Sequence, residues 1–201
     1  HLISLNEIKS RMNTMEKSLK NNFKADSETL KLEEILQIKM AYMMLYIAYK
    51  EKYPETNADE DRLFEKQEII ELAHNIEQQS KKEYVKQKEE RELNPRKYNE
   101  YKDLKVPVRS PIQEVNDQYE KMISWWNSEL ANQIENNKIT KEYVIKNKTL
   151  FDILRDAHRN LEDENYKLQL DEILLFNFDP NQEQRYIPKN FAEITYIPEK
   201  K

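Results

Sequence analysis

Glycine does not occur once in the 201 residues of this chain. Glycine lets a backbone approach a phosphate closely and turn through positive φ. Its absence therefore removes the phosphate-cradling loop, the dinucleotide fingerprint and the nucleophile elbow together. It also removes the usual residue of two-residue hairpins, which disfavours an antiparallel β fold. Cysteine is absent as well, so neither a disulfide framework nor thiolate chemistry is available. Histidine is scarce: His1, His74 and His158 are the whole supply, and no local motif sets a Ser or Thr beside one as a nucleophile. Long apolar runs are missing too. The most apolar stretch, Ile35 to Tyr49, contains Lys39 and is too short to span a bilayer, so it reads as a buried helix.

What is present suits helices. Hydrophobic residues make up 38% and charged residues 35%, a balance in which a narrow apolar stripe is buried while most of each cylinder stays wet. Twelve Tyr, six Phe and two Trp still supply enough apolar surface for a core. The net charge of −5 gives no general attraction to nucleic acid or to an anionic membrane. The fold expected is all-α: an elongated bundle of about five amphipathic helices over 1–177, with an extended tail over 178–201. The opening His1-Leu2, in place of Met, reads as a trimmed or tagged start that leaves room for a signal peptide or anchor upstream.

Local signals place the segments. Ser4 and Glu7 form a capping box, with Ile3 and Ile8 at the staple positions. Leu5, Ile8, Met12, Met15 and Leu19 follow at coiled-coil-like 3,4 spacing until Asn21-Asn22. A second helix, capped by Ser27, runs from about Glu28 to Lys52 and is apolar on more than one face, so it should be central. A third, capped near Asn57 to Asp59, is amphipathic through Leu63, Phe64, Ile69, Ile70, Ala73 and Ile76. Its remainder, from Glu77 to Glu92, keeps only Tyr84 and Val85 as apolar residues and is expected to project into solvent or lie against a partner. Lys97 to Arg109 then read as a polar linker, so charged arm and linker together cover about 77–109.

A fourth helix starts at Ser110-Pro111 with Gln113 completing a capping box. Its stripe is Ile112, Val115, Tyr119, Met122, Trp126, Leu130 and Ile134, closed by Asn136-Asn137. A fifth, capped by Thr140, carries Leu150, Phe151, Leu154, Ala157, Leu161, Leu168 and Leu175 to about Phe176. Beyond it, Pro180 and two Tyr-Ile-Pro triplets predict extended chain, with Tyr186, Phe191, Ile194 and Tyr196 docked along the bundle.

Candidate chemistry is sparse. Glu71-Leu72-Ala73-His74 matches the E-x-x-H motif of carboxylate-bridged metal bundles, but the second copy is missing because Arg155 precedes His158 at the required position. Nucleic-acid binding is not expected, since Glu77, Glu83, Glu89, Glu90 and Glu92 offset the lysines of the charged arm. The adjacent Trp125 and Trp126 point about 100° apart on a helix, so Trp126 belongs to the core and Trp125 to the stripe's edge, where tryptophan often anchors a partner. The expectation is a non-catalytic interaction or structural module with no cofactor. It would bind another protein or itself through helices, at Trp125, Tyr84, Val85, Tyr186 and Tyr196, and would be an exported, surface-exposed or extracytoplasmic protein rather than a cytoplasmic one. The alternative is a bundle enzyme or carrier that holds a metal or small ligand in a core around Glu71 and His74.

Overall fold

In the computed structural model, which describes residues 1–22, 28–54 and 62–176, the apolar run becomes a helix buried on several sides. This is α2 (Glu28–Lys52), with the bounds the sequence predicts and twelve buried residues, among them Met40, Met43, Tyr42 and Tyr49. The other helices, in chain order, are α1 (Leu5–Asn22), α3 (Lys66–Glu92), α4 (Glu100–Asp103), α5 (Ile112–Glu135), α6 (Lys141–Glu162) and α7 (Glu164–Phe176). Two two-residue strands, β1 (Leu2–Ile3) and β2 (Phe64–Glu65), are the other elements among the described residues. The chain is all-α, and no described helix is long and apolar enough to cross a membrane. The expected caps at Ser27 and near Asn57 to Asp59, and the tail over 178–201, lie outside the described residues.

By packing, the chain divides into two compact units. The first comprises His1–Glu83 with Ile123–Thr149, the second Tyr84–Met122 with the described residues from Leu150 on.

In the first unit α1 packs on α2. The Ser4 hydroxyl accepts from the Glu7 backbone N–H at 3.2 Å, the N-cap read from the sequence. Leu5 and Met12 are buried, but Met15 is 54% exposed, so the buried stripe is shorter than the 3,4 repeat suggests. One correction concerns Leu63 and Phe64, which lie before the start of α3. Phe64 pairs with Ile3 across an antiparallel two-strand ladder, and its ring lies 5.1 Å from Tyr49. The partners are distant in sequence and joined through helices, so this ladder needs no glycine hairpin.

α5 carries the predicted stripe from Val115 to Ile134 in buried positions. It ends at Asn137, whose φ is 51°. Asn137 N–H donates to the Ile134 carbonyl and Lys138 N–H to that of Gln133, the two bonds of a Schellman motif with asparagine in the place of glycine. The cap of α6 is as expected, with the Thr140 hydroxyl accepting from the Tyr143 N–H at 3.1 Å. Deep in this unit Lys39, 5% exposed, donates to the Asn127 carbonyl at 3.2 Å and pairs with the Glu16 carboxylate at 3.5 Å. Burial holds the Lys39 ammonium below the usual lysine range, against the pull of Glu16.

In the second unit the expected polar linker is a plug. Tyr101, Leu104 and Val106 are buried, on or just after the short helix α4. Asn99 caps that helix, accepting from the Lys102 N–H at 3.1 Å. Lys105 ends it at φ 56°, with Val106 N–H bonded to the Tyr101 carbonyl and Lys105 N–H to that of Lys102, a second Schellman motif. Pro107 to Ser110 form a turn with Arg109 at φ 67°, where a type II turn ordinarily holds glycine. The capping box expected at Ser110 is not made: its hydroxyl donates to the Pro107 carbonyl, and the Gln113 amide donates to Asp117. The charged half of α3 does not stand free either. Tyr84 donates to the Asp156 carboxylate, and Arg91 grips both oxygens of Asp103 at 2.5 and 2.6 Å.

The expected fifth helix is two helices. Asp163 breaks it, and its carboxylate caps α7 by accepting from the Tyr166 N–H at 3.0 Å.

Two stability measurements follow. Arg109 is exposed and sits where a Cβ costs energy, so Arg109→Gly should stabilise the chain by about 1 kcal/mol, a rise in Tm of about 2–4 °C; an unchanged or lower Tm would contradict the turn. For Lys39, a lowered folded pKa means that the folded state sheds its proton first, so stability rises with pH from that pKa toward the ordinary lysine value. The stability of Lys39→Met relative to the native chain should therefore fall in denaturant melts as the pH becomes alkaline, because only the native chain gains there. A difference independent of pH would show that desolvation of the ammonium is not responsible.

Candidate interaction surface

The break at Asp163 re-phases the chain. Without it, Leu161, Leu168 and Leu175 recur every seven residues and would share one buried stripe. With it, Leu161 is buried at the end of α6, whereas α7 buries Leu170 and Leu174 and leaves Leu168 62% exposed. The seven-residue spacing continues in the sequence, but the face that it marks has turned outward.

The plug holds α7 in this phase. Tyr101, fully buried, donates its phenol proton to Asp171 of α7 at 2.5 Å. Lys167 pairs with the same carboxylate at 3.5 Å and lies over the Tyr101 ring at 5.8 Å. At the start of α7, Tyr166 donates to Glu100 of α4 at 2.5 Å, and Asn160 donates to that carboxylate at 3.1 Å. Burial and then the carboxylates push the Tyr101 and Tyr166 phenols far above the ordinary tyrosine value, so both remain proton donors. Such charge-assisted bonds are stronger than neutral ones.

What α7 leaves outside is apolar in two rows. Leu168 and Leu175 lie two turns apart along one edge, Tyr166 and Ile173 along the other, and all four are exposed. Between the rows the outward face is polar, with Asn165, Gln169 and Glu172 exposed.

The residues singled out from the sequence fall in different units or outside the described residues. Trp126 is buried and its indole N–H donates to Asn147 at 2.8 Å. Trp125 is 37% exposed on α5 in the first unit. Val85 is exposed on α3 in the second unit, beside Tyr84, whose hydroxyl is committed to Asp156. Tyr186 and Tyr196 lie outside the described residues. Glu71 and His74 are both exposed on α3, so they do not line a core: Glu71 accepts from Gln67, and His74 contacts Gln78 and Glu77. Among the described residues, no group of three or more His, Cys, Asp or Glu is placed to hold a metal ion. His158 is buried, stacked on Tyr119 at 4.1 Å and bonded to Asn116 at 2.8 Å. A cleft of about 480 Å³ beside Val106 and Pro107 sets Lys105 and Lys121 against Glu114 and Asp117, with no net charge to select a ligand.

Periodicity alone continues the fifth helix through Asp163 and so hides the rows on α7. The signal was there: Asp is a preferred N-cap residue, and Glu164 supplies acid to the first turn.

Removing the Tyr101 hydroxyl should loosen α7 by leaving a buried carboxylate short of a donor. Tyr101→Phe is expected to cost about 1–3 kcal/mol in a urea melt and to speed amide exchange in α7 more than in α2. Equal acceleration in both helices would contradict a local role.

Comparison with protein-family models, with curated proteins and with solved structures returns no match for this chain.

Proposed function

We propose that this chain is a non-catalytic, protein-binding helical module that engages another protein through α7. The observation that carries this reading is the exposed row of Leu168 and Leu175 along one edge of α7, a helix whose inward face is anchored. Single exposed apolar side chains are ordinary on a protein surface, but several concentrated on one short element favour a binding surface. The polar groups that could support chemistry are committed to architecture: Tyr84 to Asp156, Tyr101 to Asp171, His158 to Asn116 and Lys39 to Asn127.

A photo-crosslinking residue at position 168 of the full chain, with exposed Lys146 as the control position, tests this in cells that express the protein. The reading predicts discrete heavier adducts from position 168 alone. Equal labelling from both positions, or crosslinks confined to the chain itself, would overturn it.

A further inference from the structure

We propose that the partner element seated on α7 is a basic amphipathic helix of another protein. The inference rests on the binding role assigned to α7 and adds the chemistry of what binds.

Charge and spacing carry it. Between residues 162 and 176 the acidic residues are Glu162, Asp163, Glu164, Asp171 and Glu172, and the one basic residue is Lys167. Lys167 is half-buried and paired with Asp171, which is itself buried. The exposed charges here are thus all acidic: Glu162, Asp163, Glu164 and Glu172. A surface of this kind repels anionic lipid and nucleic acid and attracts lysine and arginine. The apolar side chains recur at i and i+7 in two rows along a helix of thirteen residues, about 20 Å long. Along the row of Leu168 and Leu175, that repeat suits the side-chain spacing of a second helix lying alongside, its apolar residues against the two leucines and its basic residues against Glu164 and Glu172, which flank them. A second copy of α7 would bring like charges together and so fits less well.

The test uses the full chain and two synthetic helical peptides with identical leucine positions, one carrying lysine and the other glutamate at the remaining exposed positions. Binding is read by fluorescence anisotropy, with light scattering on the protein alone. The lysine peptide should bind at least about tenfold tighter than the glutamate peptide, and its affinity should fall as salt is raised. Leu168→Asp separates this from general attraction to an acidic protein. It adds negative charge, so pure electrostatics predicts tighter binding, whereas loss of a leucine contact predicts binding about tenfold weaker. Glu172→Lys should also weaken the lysine peptide. Equal affinity for both peptides, or tighter binding by Leu168→Asp, would overturn the proposal. So would a dimer of the protein that Leu168→Asp dissolves, since a second copy would then be the occupant. So would failure of either peptide to bind while α7 is shielded by its own chain. If crosslinking at 168 captures a protein but the peptides are not distinguished, the chemistry proposed here fails while the binding role stands.

Discussion

The hydrogen bond from Tyr101 to Asp171 is the constraint on which the second unit turns. It joins a fully buried phenol on a four-residue helix to a buried carboxylate on α7. An unpaired buried carboxylate would be costly, so the bond decides which face of α7 lies inward. Asp171 shares that face with Leu170 and Leu174, and inverting α7 would expose all three while stranding the Tyr101 hydroxyl. The outward apolar rows are the consequence. Asp163 makes the arrangement possible by breaking the preceding helix and capping the next.

A chain without glycine meets the same geometric demands as any other. Three described non-glycine residues take up positive φ: Lys105, Arg109 and Asn137. Asn137 is the favourable case, since asparagine tolerates the left-handed region best after glycine. Lys105 and Arg109 are the unfavourable ones, and both lie within five residues of each other beside the plug. Their backbone is held by the surroundings: Val106 and Tyr101 are buried, and the Schellman bonds and the turn at Pro107 fix the path.

Much of the architecture was legible from side-chain spacing and caps. The bounds of α2, the stripe of α5, the Ser4 and Thr140 caps and the asparagine stop at Asn137 all follow from short-range signals that act within one element. What escaped depends on contacts between distant residues. The stretch from Lys97 to Arg109 has the composition of a linker, and only its partners, Asp171 and Arg91, reveal that Tyr101 and Asp103 are structural. Phe64 looked helical because its partner, Ile3, lies some sixty residues away. Leu168 and Leu175 looked buried because periodicity carries no information about a break that re-phases a helix. As for the candidate site, Trp125 and Val85 were legible as exposed apolar residues, but the α7 surface was not.

The phase of α7 is open to direct measurement, because the chain has no native cysteine. Single cysteines placed at 168 and at 170 in the full chain can be compared by their rates of reaction with a small thiol reagent. Leu168→Cys should react at close to the rate of a free thiol, while Leu170→Cys, at a site 5% exposed in the native chain, should be slower by orders of magnitude. Equal rates at the two positions, or faster reaction at 170, would contradict the orientation of the helix and the surface that depends on it.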